Sequence, residues 1–164
     1  MNKIAESGLV TLDLQDYLPA KDQMVVFDLK DYLFMGQILK EKDFRASLQG
    51  IAWETFENKF VAVCCSADAI IPAWAYMLVA TYLEPLASEV FMGTGEALRT
   101  HLLVRNIEAL PSADYLDKRM VIKGCGDHFV PAAAYMAITL LLRPVAKSIM
   151  YGEPCSTVPV FKKK

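Results

Sequence analysis

Apolar and polar positions divide this chain into short segments, and two stretches of the division read alike. Residues 60–64, "FVAVC", and 119–123, "RMVIK", are short apolar runs with β-branched side chains, of a length that suits buried strands. Each is followed by a loop ending in proline and then by an apolar segment, "PAWAYMLVATYLEP" from residue 72 and "PAAAYMAITLLLRP" from residue 131. Proline fits the first turn of a helix, where its missing N–H costs nothing. A second proline pushes the residue before it out of the α region, so the helices are expected to run to about Pro85 and Pro144. The segments "ASEVFMG" and "AKSIMYG" then read as further strands ended by glycine.

The likeness extends to identities. At the constant offset that carries Asp68 onto Asp127, ten pairs match between 61–95 and 120–154, among them Pro72/Pro131, Tyr76/Tyr135, Met77/Met136 and Gly93/Gly152. Unrelated segments of that length would share roughly two. The pattern predicts an internal repeat, a β-loop-α-β unit at about 60–95 and again at 119–154. A short crossover helix returning to its sheet implies parallel strands. Outside the repeat, "QMVVFDL" at 23–29 predicts a strand, while "GQILKEKDFRASLQG" and "GEALRTHLLVRNIEAL" contain helical patterns. The tail "STVPVF" predicts an edge strand, since its proline does not suit a central one. The expectation is a single α/β domain over residues 1–164, built on a mainly parallel or mixed sheet.

Composition agrees with one ordinary domain: 164 residues, 54% hydrophobic and 22% charged, provide material for a buried core. A formal net charge of −2 gives no basic footprint, so nucleic acid is not an expected partner. The uncharged runs 69–83 and 129–142 fall short of the ~18 residues that span a bilayer, so no membrane span is expected. Polar and acidic residues interrupt the N-terminal segment at once, which argues against a signal peptide and for a cytoplasmic protein. In that reducing setting the four cysteines read as core thiols, reactive thiols or metal ligands, not as disulfides.

Candidate chemistry follows from topology. In a parallel α/β sheet the loops after the strands gather at the carboxyl edge, where such folds place ligands. Cys65, Ser66 and Asp68 follow one repeat's first strand, Cys125, Asp127 and His128 the other's, and Glu153 and Cys155 follow the last. Thiolates with carboxylates can hold a metal ion or an iron–sulfur cluster, so Cys65, Asp68, Cys125, Asp127 and Cys155 are the expected metal ligands, with Ser66 and Glu153 as further cofactor contacts. The two aspartates would either ligate or cap the helices that follow. No Cys-x-x-Cys pair is present, and adjacent Cys64 and Cys65 point to opposite faces if both lie in a strand. Two other readings stay open. A cysteine near a helix N-terminus can act as a nucleophile or sulfur carrier, with His128 as its base; and a leftover apolar helix face would make the chain an interaction or scaffold protein, for instance a homodimer. The Tyr76–Met77 and Tyr135–Met136 pairs read as packing within the repeat.

The stretches "CSADAIIPAWAYML", "KEKDFR", "KGCGDHFVPAAAY" and "SIMYGEPCSTVPVFKK" together resemble the bacterial family known as domain of unknown function 2480, over nearly the whole chain and in order. The resemblance brings no activity with it. Relatives are often encoded near iron–sulfur cluster assembly and sulfur-mobilising proteins, so it implies metal- or cluster-related work with iron–sulfur assembly proteins as partners. Its pattern lands on Cys65, Ser66, Asp68 and Pro72, on Gly124, Cys125 and Pro131, and on Gly152, Glu153, Pro154, Cys155, Ser156 and Thr157. Cys64 and His128 fall outside it.

Overall fold

The computed structural model describes residues 8–153 and 156–164. It is α/β, as the pattern predicts, but its strands are divided between two sheets instead of one. Strands β2 (Met24–Asp28), β3 (Phe60–Cys64) and β4 (Glu89–Met92) form a three-stranded parallel sheet in that order. Strands β1 (Leu9–Asp13), β5 (Arg119–Lys123) and β6 (Ser148–Glu153) form a second parallel set. To this β7 (Ser156–Lys162) adds an antiparallel edge, as expected for a strand containing Pro159. The chain divides accordingly into two compact units: Pro19–Arg99, and Thr100–Lys164 together with Leu18 and the described residues before it.

Both copies of the predicted unit are present, one in each half of this division. In the Pro19–Arg99 unit, β3 leads through a loop into helix α2 (Ala73–Leu83) and back to β4; in the other, β5 leads into α4 (Ala132–Leu142) and back to β6. Phe60 pairs with Glu89, and its repeat partner Arg119 pairs with Ser148, the partner of Glu89. The likeness reaches single backbone angles. Asn58 and Asp117 are both left-handed, with φ of 59° and 56°, and donate their amides to Leu86 and Val145 at 3.0 and 2.9 Å. Asn and Asp tolerate that conformation better than other side chains with a Cβ.

The duplication also starts earlier than the pattern indicates. β1 runs into "DLQDYL" and β2 into "DLKDYL", each forming a 3-10 turn, Leu14–Tyr17 and Leu29–Tyr32. Asp13 caps the first by accepting from the Gln15 amide at 3.0 Å, and Asp28 the second by accepting from the Lys30 amide at 2.9 Å. Each unit therefore contributes its own leading strand to its own sheet.

Two helices precede the middle strands, α1 (Glu41–Gln49) and α3 (Gly95–Glu108). The Pro19–Arg99 unit buries Phe44 and Leu48 of α1 with Phe27, Val79 and Leu83. Its Phe27 ring stacks on Tyr32 and Trp53 with centroids 5.4 and 5.5 Å away. The other unit buries Leu103 and Ile107 of α3 with Leu14, Met120, Ile138 and Leu142. Repeat partners Leu83 and Leu142 hold the same place, each fully buried. Among the described residues no helix is long and apolar enough to cross a membrane.

Candidate functional site

The two loops that follow the middle strands share a path but not their bonding. In the Pro19–Arg99 unit, Ser66 donates its amide to Asp28 Oδ1 at 3.0 Å and its hydroxyl to Oδ2 at 2.5 Å. Burial works to raise the Asp28 pKa, but the Ser66 hydroxyl, the Lys30 and Ser66 amides and the Lys30 charge outweigh it and hold the carboxyl below its usual range. Cys65 makes a long contact to the Ala67 carbonyl, 3.7 Å from its sulfur. Cys64, at the end of β3, has its thiol pushed up by burial and then by Asp28 and Cys65. This loop is closed on itself by the leading strand's aspartate.

In the other unit the counterpart of Ser66 is Cys125, and its amide goes elsewhere. It donates to Oε1 of Glu153, the last residue of β6, at 2.9 Å. The Gly124 amide donates to the same oxygen, and the Tyr135 hydroxyl does so at 3.4 Å. Glu153 is 4% exposed, the one buried charged residue among those described. Its second oxygen, Oε2, is buried and has no hydrogen-bond partner among the described residues. A buried carboxylate oxygen left unpaired is costly, and such groups mark strain, chemistry, or a bound water or ion.

Gly124 explains how Tyr135 gets there. A Cβ at this position would stand 2.5 Å from the Tyr135 hydroxyl oxygen, closer than real Cβ atoms come. The repeat partner of Gly124 is Cys65, so the unit that carries a side chain here has no equivalent reach, and Thr94 stands where the other has Glu153. Thr94 instead accepts from the Ala97 amide at 3.1 Å, next to the start of α3. Burial, the Glu153 carboxylate, Tyr151, the hydrogen bond to Glu153 and Cys125 together push the Tyr135 hydroxyl up to about 12. Tyr135 thus remains a proton donor throughout the neutral range.

The expected ligands fare unequally. Cys125 is exposed and sits on the residue whose amide holds Glu153, so these two are brought together. Ser66 serves Asp28. Cys65 lies in one unit and Cys125 in the other, and among the described residues no three His, Cys, Asp or Glu side chains are grouped to hold a metal ion. Cys155 lies outside the described residues. Asp68 and Asp127 are exposed, and the capping role expected of them is corrected: the residue at each helix start is the proline itself, Pro72 or Pro131, with no side-chain cap. The loop aspartates stand four residues further back. Exposed His128 gives its amide to Gln15 Oε1 at 3.2 Å.

Pattern reading assigned Tyr135 to packing, and Gly124 entered only through the family resemblance, with no role attached. The signal that would have found them is a difference within the repeat, glycine against cysteine at 124 and 65, with glutamate against threonine at 153 and 94.

A family model described as "Protein of unknown function (DUF2480)" matches residues 1–163. The chain belongs to this family. The match takes in both loops and Glu153, as the resemblance of the motifs implied. No curated protein and no solved structure matches the chain.

Proposed function

We propose that this family member is a cytoplasmic metal-handling protein, binding a metal ion or an iron–sulfur cluster or serving cluster assembly, through Cys125 and Glu153 with Cys155 as a further ligand. The observation that supports this reading is the buried Glu153 carboxylate, whose Oε2 has no hydrogen-bond partner among the described residues and whose Oε1 is held by the amide of exposed Cys125. A carboxylate oxygen and a thiolate are both metal donors, and a reducing cytoplasm keeps the thiol free. Iron–sulfur assembly proteins are the partners such a role calls for. Purification without oxygen, followed by elemental analysis and visible absorption, tests it. Bound metal or cluster is expected, and loss of it on Cys125→Ser or Glu153→Gln. Stable protein that is metal-free and takes up neither metal ions nor a reconstituted cluster would overturn the proposal.

Two other readings each have an observation behind them. Cys125 exposure favours a thiol-dependent enzyme or sulfur carrier, which requires this cysteine to form a covalent adduct with its substrate. The interaction-protein reading rests on apolar side chains exposed at repeat-equivalent places, Ile70 with Phe129 and Met77 with Met136. It requires a homodimer or a partner complex, visible by sedimentation.

A further inference from the structure

We infer that two copies of this chain associate by laying the outer face of α2 in one against the outer face of α4 in the other, with Met77 against Met136 and Glu84 against Arg143. The inference gives the interaction reading its partner and is independent of metal binding. Helices α2 and α4, "AWAYMLVATYL" and "AAAYMAITLLL", contain no charged residue, whereas α1 and α3 carry several. A helix apolar on all sides is normally covered on all sides. Each buries one face in its own unit, through Ala75, Val79 and Leu83 or through Ala134, Ile138 and Leu142. On the other face Met77 is 68% exposed, and Met136 and Leu140 are 66% exposed.

These outer faces are copies of each other with the charge inverted. Met77, Thr81 and Glu84 follow at helical spacing, and their repeat partners are Met136, Leu140 and Arg143. All six are exposed. Two such helices side by side and parallel bring each residue to its own repeat partner. Methionine then meets methionine, leucine covers the threonine methyl, and opposite charges meet where an unaltered copy would set like charges together. A second copy of the chain is the partner that supplies both faces.

Glu84 is poorly suited to its own helix. It closes the C-terminal end of α2, where the helix dipole disfavours a negative charge and favours a positive one, such as Arg143 in the same place on α4. Beside Glu84 is a cavity of about 360 Å³, lined also by Ala80, Ser88 and Glu89, with room for a guanidinium group. Arg143 lies over the Phe161 ring, 4.1 Å from its centroid, which steadies it at the face. Burial of methionine and leucine supplies the affinity. The exposed ion pair contributes little energy and chiefly decides which faces meet.

Sedimentation velocity of the full chain under reducing conditions, over a range of concentrations, tests the contact. The unmodified chain is expected to sediment above the mass of one copy, and Met136→Asp, at an exposed position, to remain single with an unchanged circular dichroism spectrum. Glu84→Arg leaves two positive faces and Arg143→Glu two negative ones, so each variant alone should associate at least about 10-fold more weakly through like-charge repulsion. An equimolar mixture of those two variants should regain the association. An unmodified chain that stays single at the highest concentration it tolerates overturns the inference. So does association that survives Met136→Asp or both charge reversals, or two folded variants that fail to recover it when mixed. None of these outcomes alters the metal-handling reading, which is decided by metal content.

Discussion

The close approach of Gly124 to Tyr135 makes a sharp test of how the site is built. Gly124 is buried and is not among the glycines with positive φ, so alanine meets no backbone strain there and the effect is steric. The new methyl group would meet the Tyr135 hydroxyl oxygen at 2.5 Å, its Cζ at 3.1 Å and Val130 Cγ2 at 3.2 Å. Overpacking of this kind costs about 1–3 kcal/mol, and moving the tyrosine also gives up a hydrogen bond worth about 1 kcal/mol. Against this, replacing glycine by alanine restricts the unfolded chain and returns about 0.4–1 kcal/mol. Gly124→Ala should therefore lose about 1–3 kcal/mol, read by urea denaturation followed by circular dichroism. The second arm is Gly124→Ala with Tyr135→Phe. Removing the hydroxyl takes away the closest atom, and the two remaining contacts need only small shifts. The double variant should be more stable than the two single losses added together, by a coupling of about 1 kcal/mol or more. Gly124→Ala as stable as the unmodified protein, or strict additivity in the double variant, would refute the account of why glycine stands here.

Other outcomes follow from the same geometry. Asp28 has a folded pKa below its unfolded value, so its contribution to stability is complete above the ordinary carboxylate range near pH ~4 and is lost as pH falls through the lower folded value. Asp28→Asn should flatten that part of the pH–stability curve, and an unchanged acid limb would count against the Ser66 and Lys30 contacts. Alkylation followed by mass spectrometry should modify exposed Cys125 before Cys64, whose thiol is pushed up chiefly by burial; the reverse order would show that this placement of the two thiols is wrong. Leu142→Ala, at a fully buried position, should cost about 2–5 kcal/mol in denaturant unfolding. A loss below 1 kcal/mol would mean that the α4 face is not packed as described.

The repeated segments were legible because their signals are local. Proline at 72 and 131, glycine at 93 and 152, and short β-branched runs each report on their own neighbourhood, so the strands and helices of both copies lie close to where the pattern puts them. The division into two sheets was not legible, because strand pairing joins distant residues and leaves no mark on either one. β1 is the clearest case: "LVTLD" alternates only weakly, and its kinship to "MVVFD" is evident once both are seen to feed a capped turn. The site was half legible. Cys125 and Glu153 could be named from the edge on which their loops emerge. That Glu153 is buried, and that its oxygens differ, depends on Tyr135 reaching across from α4, a contact the spacing does not encode.

The pairing of β1 also bears on how the chain is made. Met24 finds its partner Phe60 soon after it, but Leu9 pairs with Arg119, at a separation about three times as long, with the whole of Pro19–Arg99 in between. Synthesis runs from the N-terminus at about 5–20 residues per second, and domains fold largely as units. The inserted unit has all three of its strands synthesised before β5 exists, while β1 waits for several seconds without its partner. A chain stopped between Arg99 and Arg119 and released therefore has every strand of one sheet and, in β1, one lone strand open to the wrong neighbour.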